Sequence, residues 1–370
     1  MSARASSRGS LSAAPQRGFD AELAALEALS EAMKAGAALD AVAVEQLRKA
    51  LSNRNNFLVS KAAKLVADAE VAALLPEVLA AYERFFVDAA KTDPKCWAKE
   101  ALAKALVKLE HLGKNEYLRG LRHHQMEASF GPPVDTAGTL RATCAHALVV
   151  CPGIADDDLV GLLLETLVDT DKSVRVEAAR AIGNVGGTGA ALALRLRALM
   201  GPVKPDLDTP EVLGAVYAAL LSIEGVEAIK LVAAVLEDGD DLAGEAAFAL
   251  AEMRTPEALA VLTARLGEKG ASGARATGSG HRAPDGWFAG VLTSAIAMTR
   301  LPEAFDFLIQ EVERESRYAV AAVEALGRIG QSAEVRARIE RAVEATGSER
   351  LRNVFQEHFA FQEHSHGPLP

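Results

Sequence analysis

The clearest order in this chain lies in the spacing of its apolar positions. Within 169–183, Val174, Ala178, Ala181 and Ile182 recur at the interval that places them on one helix face. Asp171 stands just before them, where a carboxylate can accept from the free N–H groups of a first helical turn, and Gly183 or Gly186 can end the helix. With Val174 as anchor, the pattern restarts at Leu58, Ala98, Leu140, Val212, Leu242, Phe288, Tyr318 and Leu351. Eight residues after each anchor comes a large apolar side chain: Val66, Leu106, Leu148, Ile182, Leu220, Leu250, Ile296, Leu326 and Phe359. Successive anchors lie 40, 42, 34, 38, 30, 46, 30 and 33 residues apart. Between them run partner helices, predicted at 156–168, 188–200, 226–237, 256–266 and 302–314, with Pro256 and Pro302 suited to a first turn. A further helix is predicted at 20–34. One helix pair cannot bury its apolar face alone, so a period of this length implies stacked pairs sharing a continuous core.

The run from Val174 to Gly183, VRVEAARAIG, resembles the second helix of a HEAT repeat, whose pattern is an acidic turn followed by Val-Arg-x-x-Ala-Ala-x-Ala-Leu-Gly. The resemblance implies an all-α fold: an α-solenoid of about nine HEAT-like helix pairs forming a right-handed curved superhelix over 20–361. It also implies a ladder in which the residue after each anchor bonds to a neighbouring repeat's acidic turn. Lys99, Arg141, Arg175 and Arg352 keep that position basic, whereas Val59, Leu213, Ala243, Ala289 and Ala319 do not. The function expected of such a stack is non-enzymatic protein binding on its concave face. Two HEAT-like enzyme groups give the alternative. Phycobilin lyases share the short units seen at 212–242 and 288–318; alkylpurine DNA glycosylases, ranked behind them, use a basic groove with aromatic and carboxylate residues. HEAT-like deoxyhypusine hydroxylases hold iron through His-Glu dipeptides, and this chain contains none.

Composition fits thin helical layers, with 50% hydrophobic residues but only 5% aromatic. The net charge of −10 is uneven. Residues 1–200 carry 24 basic and 24 acidic side chains, and residues 201–370 carry 16 and 26. An acidic surface repels phosphates, which argues against nucleic acid as the main partner. No window is apolar enough to span a membrane. Cys96, Cys144 and Cys151 are an odd and sparse set, and Cys144 and Cys151, seven residues apart on one predicted helix, lie beyond disulfide reach, which suggests buried thiols in a cytoplasmic protein. Residues 1–19 are read as a disordered arm, 270–286 as a flexible insertion and 362–370 as a disordered tail, while Pro-rich 201–210 is a stiffer connector.

No catalytic constellation, cofactor motif or metal motif emerges. His364 and His366 belong to the tail, His123 and His124 are expected to face solvent beside a Gly-Pro-Pro turn, and Asp156, Asp157 and Asp158 read as helix-capping carboxylates. Trp97 and Trp287 each begin a second helix; Trp287, beside the insertion, is the better interface anchor. Six residues after the first four anchors stand Lys64, Lys104, His146 and Arg180. With Lys61, Lys99, Arg141 and Arg175 they form a candidate basic strip for an acidic or phosphorylated protein partner.

Overall fold

The computed structural model describes residues 13–202, 209–267, 286–329 and 332–359. Among these the chain is nearly all helical, with twenty α-helices and one hairpin of two-residue strands. It divides into two compact units, Met1–Ala155 and Asp156–Pro370. The segments read as insertion and tail fall outside the described residues, apart from Gly286, which opens a helix.

Unit 1 contains α1 (Ala13–Lys34), α2 (Ala41–Leu51), α3 (Asn56–Asp68), α4 (Leu75–Arg84), the single turn α5 (Ala89–Thr92), α6 (Trp97–Lys108), α7 (Lys114–Leu121), the hairpin β1 (Met126–Glu127) and β2 (Val134–Asp135), and α8 (Gly138–Leu148). Helices α3, α6 and α8 lie side by side, backed by α2, α4 and α7. Helix α1 begins at Ala13, seven residues inside the expected arm, and Pro15 falls in its first turn, where its missing N–H is no loss. The antiparallel hairpin is also unanticipated: its strands are too short to leave an alternating apolar signature.

Unit 2 contains α9 (Asp156–Leu167), α10 (Lys172–Val185), α11 (Gly187–Met200), α12 (Pro210–Glu224), α13 (Val226–Ala233), α14 (Asp241–Glu252), α15 (Pro256–Gly267), α16 (Gly286–Met298), α17 (Pro302–Glu313), α18 (Ala319–Arg328), α19 (Ala333–Thr346) and α20 (Glu349–Phe359). Helices α10, α12, α14, α16, α18 and α20 pack in series, and the intervening helices cover one side of them. The predicted partner helices match α9, α11, α13, α15 and α17 to within a few residues.

The anchors define the cores of both units. Leu58, Ala98, Leu140, Val174, Val212, Phe288, Tyr318 and Leu351 are buried, as are all the large residues eight positions later. Each such burial stabilises by roughly 1.5–3 kcal/mol for the larger side chains. Capping fixes where each helix begins. Asn55 accepts from the backbone N–H of Leu58 at 3.2 Å, and Asp171 from those of Ser173 and Val174 at 2.8 and 3.4 Å. The copy assigned to Leu242 runs one residue later than expected: Asp240 accepts from Ala243 N–H at 2.9 Å, and Ala243 is fully buried while Leu242 is half-buried.

Candidate functional site

The basic residues that follow four of the anchors, Lys99, Arg141, Arg175 and Arg352, each donate to a backbone carbonyl at the end of a helix. Lys99 Nζ donates to Asp93 Oδ2 at 2.9 Å and to the Phe85 carbonyl at 3.2 Å. Arg141 Nη1 donates to Asp135 Oδ2 at 2.8 Å and to the His123 carbonyl at 3.0 Å. Arg175 Nη1 donates to the Asp169 carbonyl at 2.6 Å, and Arg352 to the Gly347 carbonyl at 3.3 Å. Phe85, His123, Asp169 and Gly347 lie just past the ends of α4, α7, α9 and α19 respectively. Each cation therefore ties the carbonyl end of a first helix, its negative pole, to the second helix of the same pair. Two arginines of first helices also reach such carbonyl ends: Arg197 of α11 donates to Gly201, just past its own helix, and Arg265 of α15 to Leu236, past the end of α13.

This has a direct consequence for the predicted basic strip. Lys99, Arg141 and Arg175 are 0%, 1% and 3% exposed, so their cations are enclosed and do not present a surface to a partner. Around Lys99 and Arg141 a polar knot forms. Asp93, fully buried, accepts from the backbone N–H groups of Ala98 and Lys99 and so caps α6 from several residues upstream. Lys95 and Cys96 adopt left-handed φ of 63° and 57° to allow it. Asp135 works against the cost of burial. The backbone N–H groups of Gln125 and Ala137, then His124 and the Arg141 guanidinium, hold its carboxyl down to about 2. His124 is exposed as expected, but His123 is half-buried edge-on against Phe86, and desolvation lowers its pKa.

Lys61, Lys64 and Lys104 do come together. All three are exposed, and with Lys108 they rim a groove of about 620 Å³ across α3 and α6, whose edge reaches Thr143 of α8. Its floor carries Phe57 and Trp97, ring centroids 5.7 Å apart, with Phe19 of α1 a further 6.5 Å from Phe57. Lys61 lies 5.4 Å from the Phe57 ring centre and Lys95 5.0 Å from that of Trp97. Trp97 is 41% exposed. Only Asp68 and Glu100 bring negative charge, and Glu100 is paired with Lys104 at 2.6 Å. Lys61, Lys64 and Lys108 form no ion pair among the described residues. Lys61 and Lys64 also border a second trough of about 680 Å³ against α1, beside Leu26 and Met33.

The other two predicted residues stand apart. His146 is exposed on α8 but does not line the groove. Arg180 belongs to unit 2, pairs with Glu177 at 2.6 Å and borders a different hollow. What the basic-strip reading missed is the aromatic row. Phe57 and Trp97 each occupy the position just before an anchor, an address visible in the sequence once the anchors are known. Chemically the groove offers flat apolar faces beside unpaired ammonium groups.

No family model and no curated protein matches the chain. Among solved structures, a crystal structure of an engineered protein is 16% identical and covers 94% of this chain and 95% of its own. Its TM-score is 0.33, too loose a superposition to support an argument.

Proposed function

We propose that this chain is a protein-binding scaffold of the HEAT-repeat type, a solenoid of helix pairs whose unit 1 groove holds an acidic amphipathic segment of a partner protein. The repeat reading is supported by the recurrence of buried anchors and closing residues in both units. The binding reading rests on one observation: Phe57 and Trp97 lie open between Lys61, Lys64, Lys104 and Lys108. Apolar side chains on one face of an incoming helix would cover the rings, and its carboxylates would meet the ammonium groups. Lysines act as point charges rather than planar forks, which suits a row of carboxylates without demanding one fixed geometry.

The test is fluorescence anisotropy of the full chain with a dye-labelled amphipathic helix bearing Leu and Phe on one face and Glu on the other. We expect salt-sensitive binding that Lys61→Glu, Lys64→Glu and Lys104→Glu together weaken by at least about tenfold. Absence of binding by the wild type, or equal binding by the triple variant, would overturn the assignment. Exposed rings beside lysines also form a surface on which nucleic-acid bases stack. That feature favours a second reading, an enzyme resembling the alkylpurine DNA glycosylases. A labelled single-stranded oligonucleotide that bound more tightly than the acidic peptide would move the assignment there.

A further inference from the structure

Unit 2 carries a groove of the opposite character. Two adjoining hollows of about 390 and 270 Å³ share Glu211, Glu245 and Phe248. Small residues of α12, among them Gly214, Ala215 and Ala218, make the floor of the larger one. A Cβ at Gly214 would come within 2.6 Å of Glu245 Oε2, so glycine is what lets that carboxylate lie across α12. At the far end the indole of Trp287, 51% exposed, lies over Gly244, where a Cβ would sit 3.4 Å from Cη2.

Among the described residues the carboxylates here outnumber the cations. Glu245, Glu252 and Asp241 form no ion pair among the described residues. Glu211 meets Lys172 at 3.0 Å, and Arg180, the one cation among the described residues lining the hollows, is engaged by Glu177. Burial pushes the Glu245 carboxyl up, and Glu211 and Glu252 push it further. No group of three or more His, Cys, Asp or Glu side chains among the described residues is arranged to hold a metal ion.

We propose that this groove is a second docking surface, taking an extended segment of a partner protein that carries lysine or arginine side chains. Their aliphatic stems lie along the Gly and Ala floor while the charged heads reach Glu211, Glu245 and Glu252. The Trp287 face receives a further cation. The assignment is independent of the unit 1 groove, because it uses different residues and the opposite charge.

The experiment titrates the full chain into a dye-labelled peptide of alternating Lys and Ala, with the Glu–Ala counterpart as control. The expected result is salt-sensitive binding of the Lys–Ala peptide alone. Glu245→Gln with Glu252→Gln weakens it by about tenfold or more, and Trp287→Ala by about threefold or more. Glu303→Gln with Glu313→Gln on α17, two exposed carboxylates away from the groove, leaves it unchanged at equal helicity. If that control pair weakens binding as much as the groove pair, the peptide is sensing only net charge and the proposal fails. It fails equally if the wild type does not bind, or if the groove variants bind like the wild type.

Discussion

The two grooves are built on the same helical grammar and end with opposite surfaces. In unit 1, the position before the anchor supplies Phe57 and Trp97, and the exposed turns supply lysines. In unit 2, that same position supplies Glu211 and Trp287, and the neighbouring turns supply Glu245 and Glu252. The anchors themselves are interchangeable: Leu58, Val174 and Val212 are all buried to within 1%. Burial reads only the positions that face the partner layer. The remaining face is free to vary in charge without cost to the core, so one architecture presents two chemistries.

The units also differ in how they fix their turns, and the largest expected effect lies there. Unit 1 relies on the Lys99–Asp93 pair, both side chains 0% exposed. Lys99→Met would leave the Asp93 carboxylate buried without its cation, at a cost of about 3–5 kcal/mol. In unit 2, Arg265 donates to the backbone carbonyls of Leu236 and Glu237. Arg265→Met removes the donor to these two carbonyls, at an expected cost of about 1–3 kcal/mol. Each unit contains one tryptophan, Trp97 or Trp287, so urea unfolding of Trp→Phe backgrounds reports them separately. Equal losses at the two sites would show that the buried ion pair carries no special weight.

The next effect in size is a crossed binding experiment. Lys61→Glu, Lys64→Glu and Lys104→Glu should remove the acidic-peptide signal and leave Lys–Ala binding within about twofold, while Glu245→Gln with Glu252→Gln should do the reverse. Anisotropy with both peptides on both variants measures this. Should either variant weaken both peptides equally, the grooves would not be separate sites.

The fold was legible to the extent that it depends on buried spacing. Every closing residue from Val66 to Phe359 is inside, because eight residues is a little over two helical turns and returns the side chain to the same face. The Leu242 copy slipped because the capping residue, Asp240, sets the helix start and the apolar pattern around it is equally tolerant one residue later. The candidate site was half legible. Lys64 and Lys104 stand out by their offset from the anchors, and Lys61 joins the same strip as a nearby basic residue. Lys99, Arg141 and Arg175 were assigned to the same strip, since sequence alone does not distinguish a lysine on the surface from one that closes its own turn. The reach of Asp93 to α6 rests on left-handed residues, Lys95 and Cys96, that are not glycine and so carry no mark in the sequence.

A smaller effect separates the units by pH. Asp135 in unit 1 has its carboxyl at about 2 against an ordinary value of 3.8. A depressed carboxyl stabilises fully above its unfolded value and loses that stabilisation as pH falls through the folded one. Unit 1 should therefore lose on the order of 1–2 kcal/mol between about pH 4 and pH 2, after allowance for solvent screening. Asp135→Asn should flatten that slope in acid unfolding followed through Trp97. An unchanged slope would mean that other carboxylates set the acid limit of this unit.

The smallest expected effect has the opposite sign. Glu245 is raised, chiefly by burial and then by Glu211 and Glu252, so its charged form is disfavoured in the folded chain. A raised carboxyl stabilises below its unfolded value, and that contribution is lost as pH rises through the folded one. At neutral pH the group is thus a slight burden, and Glu245→Gln should raise the stability of unit 2 slightly while weakening Lys–Ala peptide binding. Urea midpoints read through Trp287, paired with anisotropy on the same variant, measure both quantities. A loss of stability would mean that Glu245 supports the α12–α14 packing across Gly214. A gain, alongside weaker binding, is what a carboxylate held ready for an external cation should give.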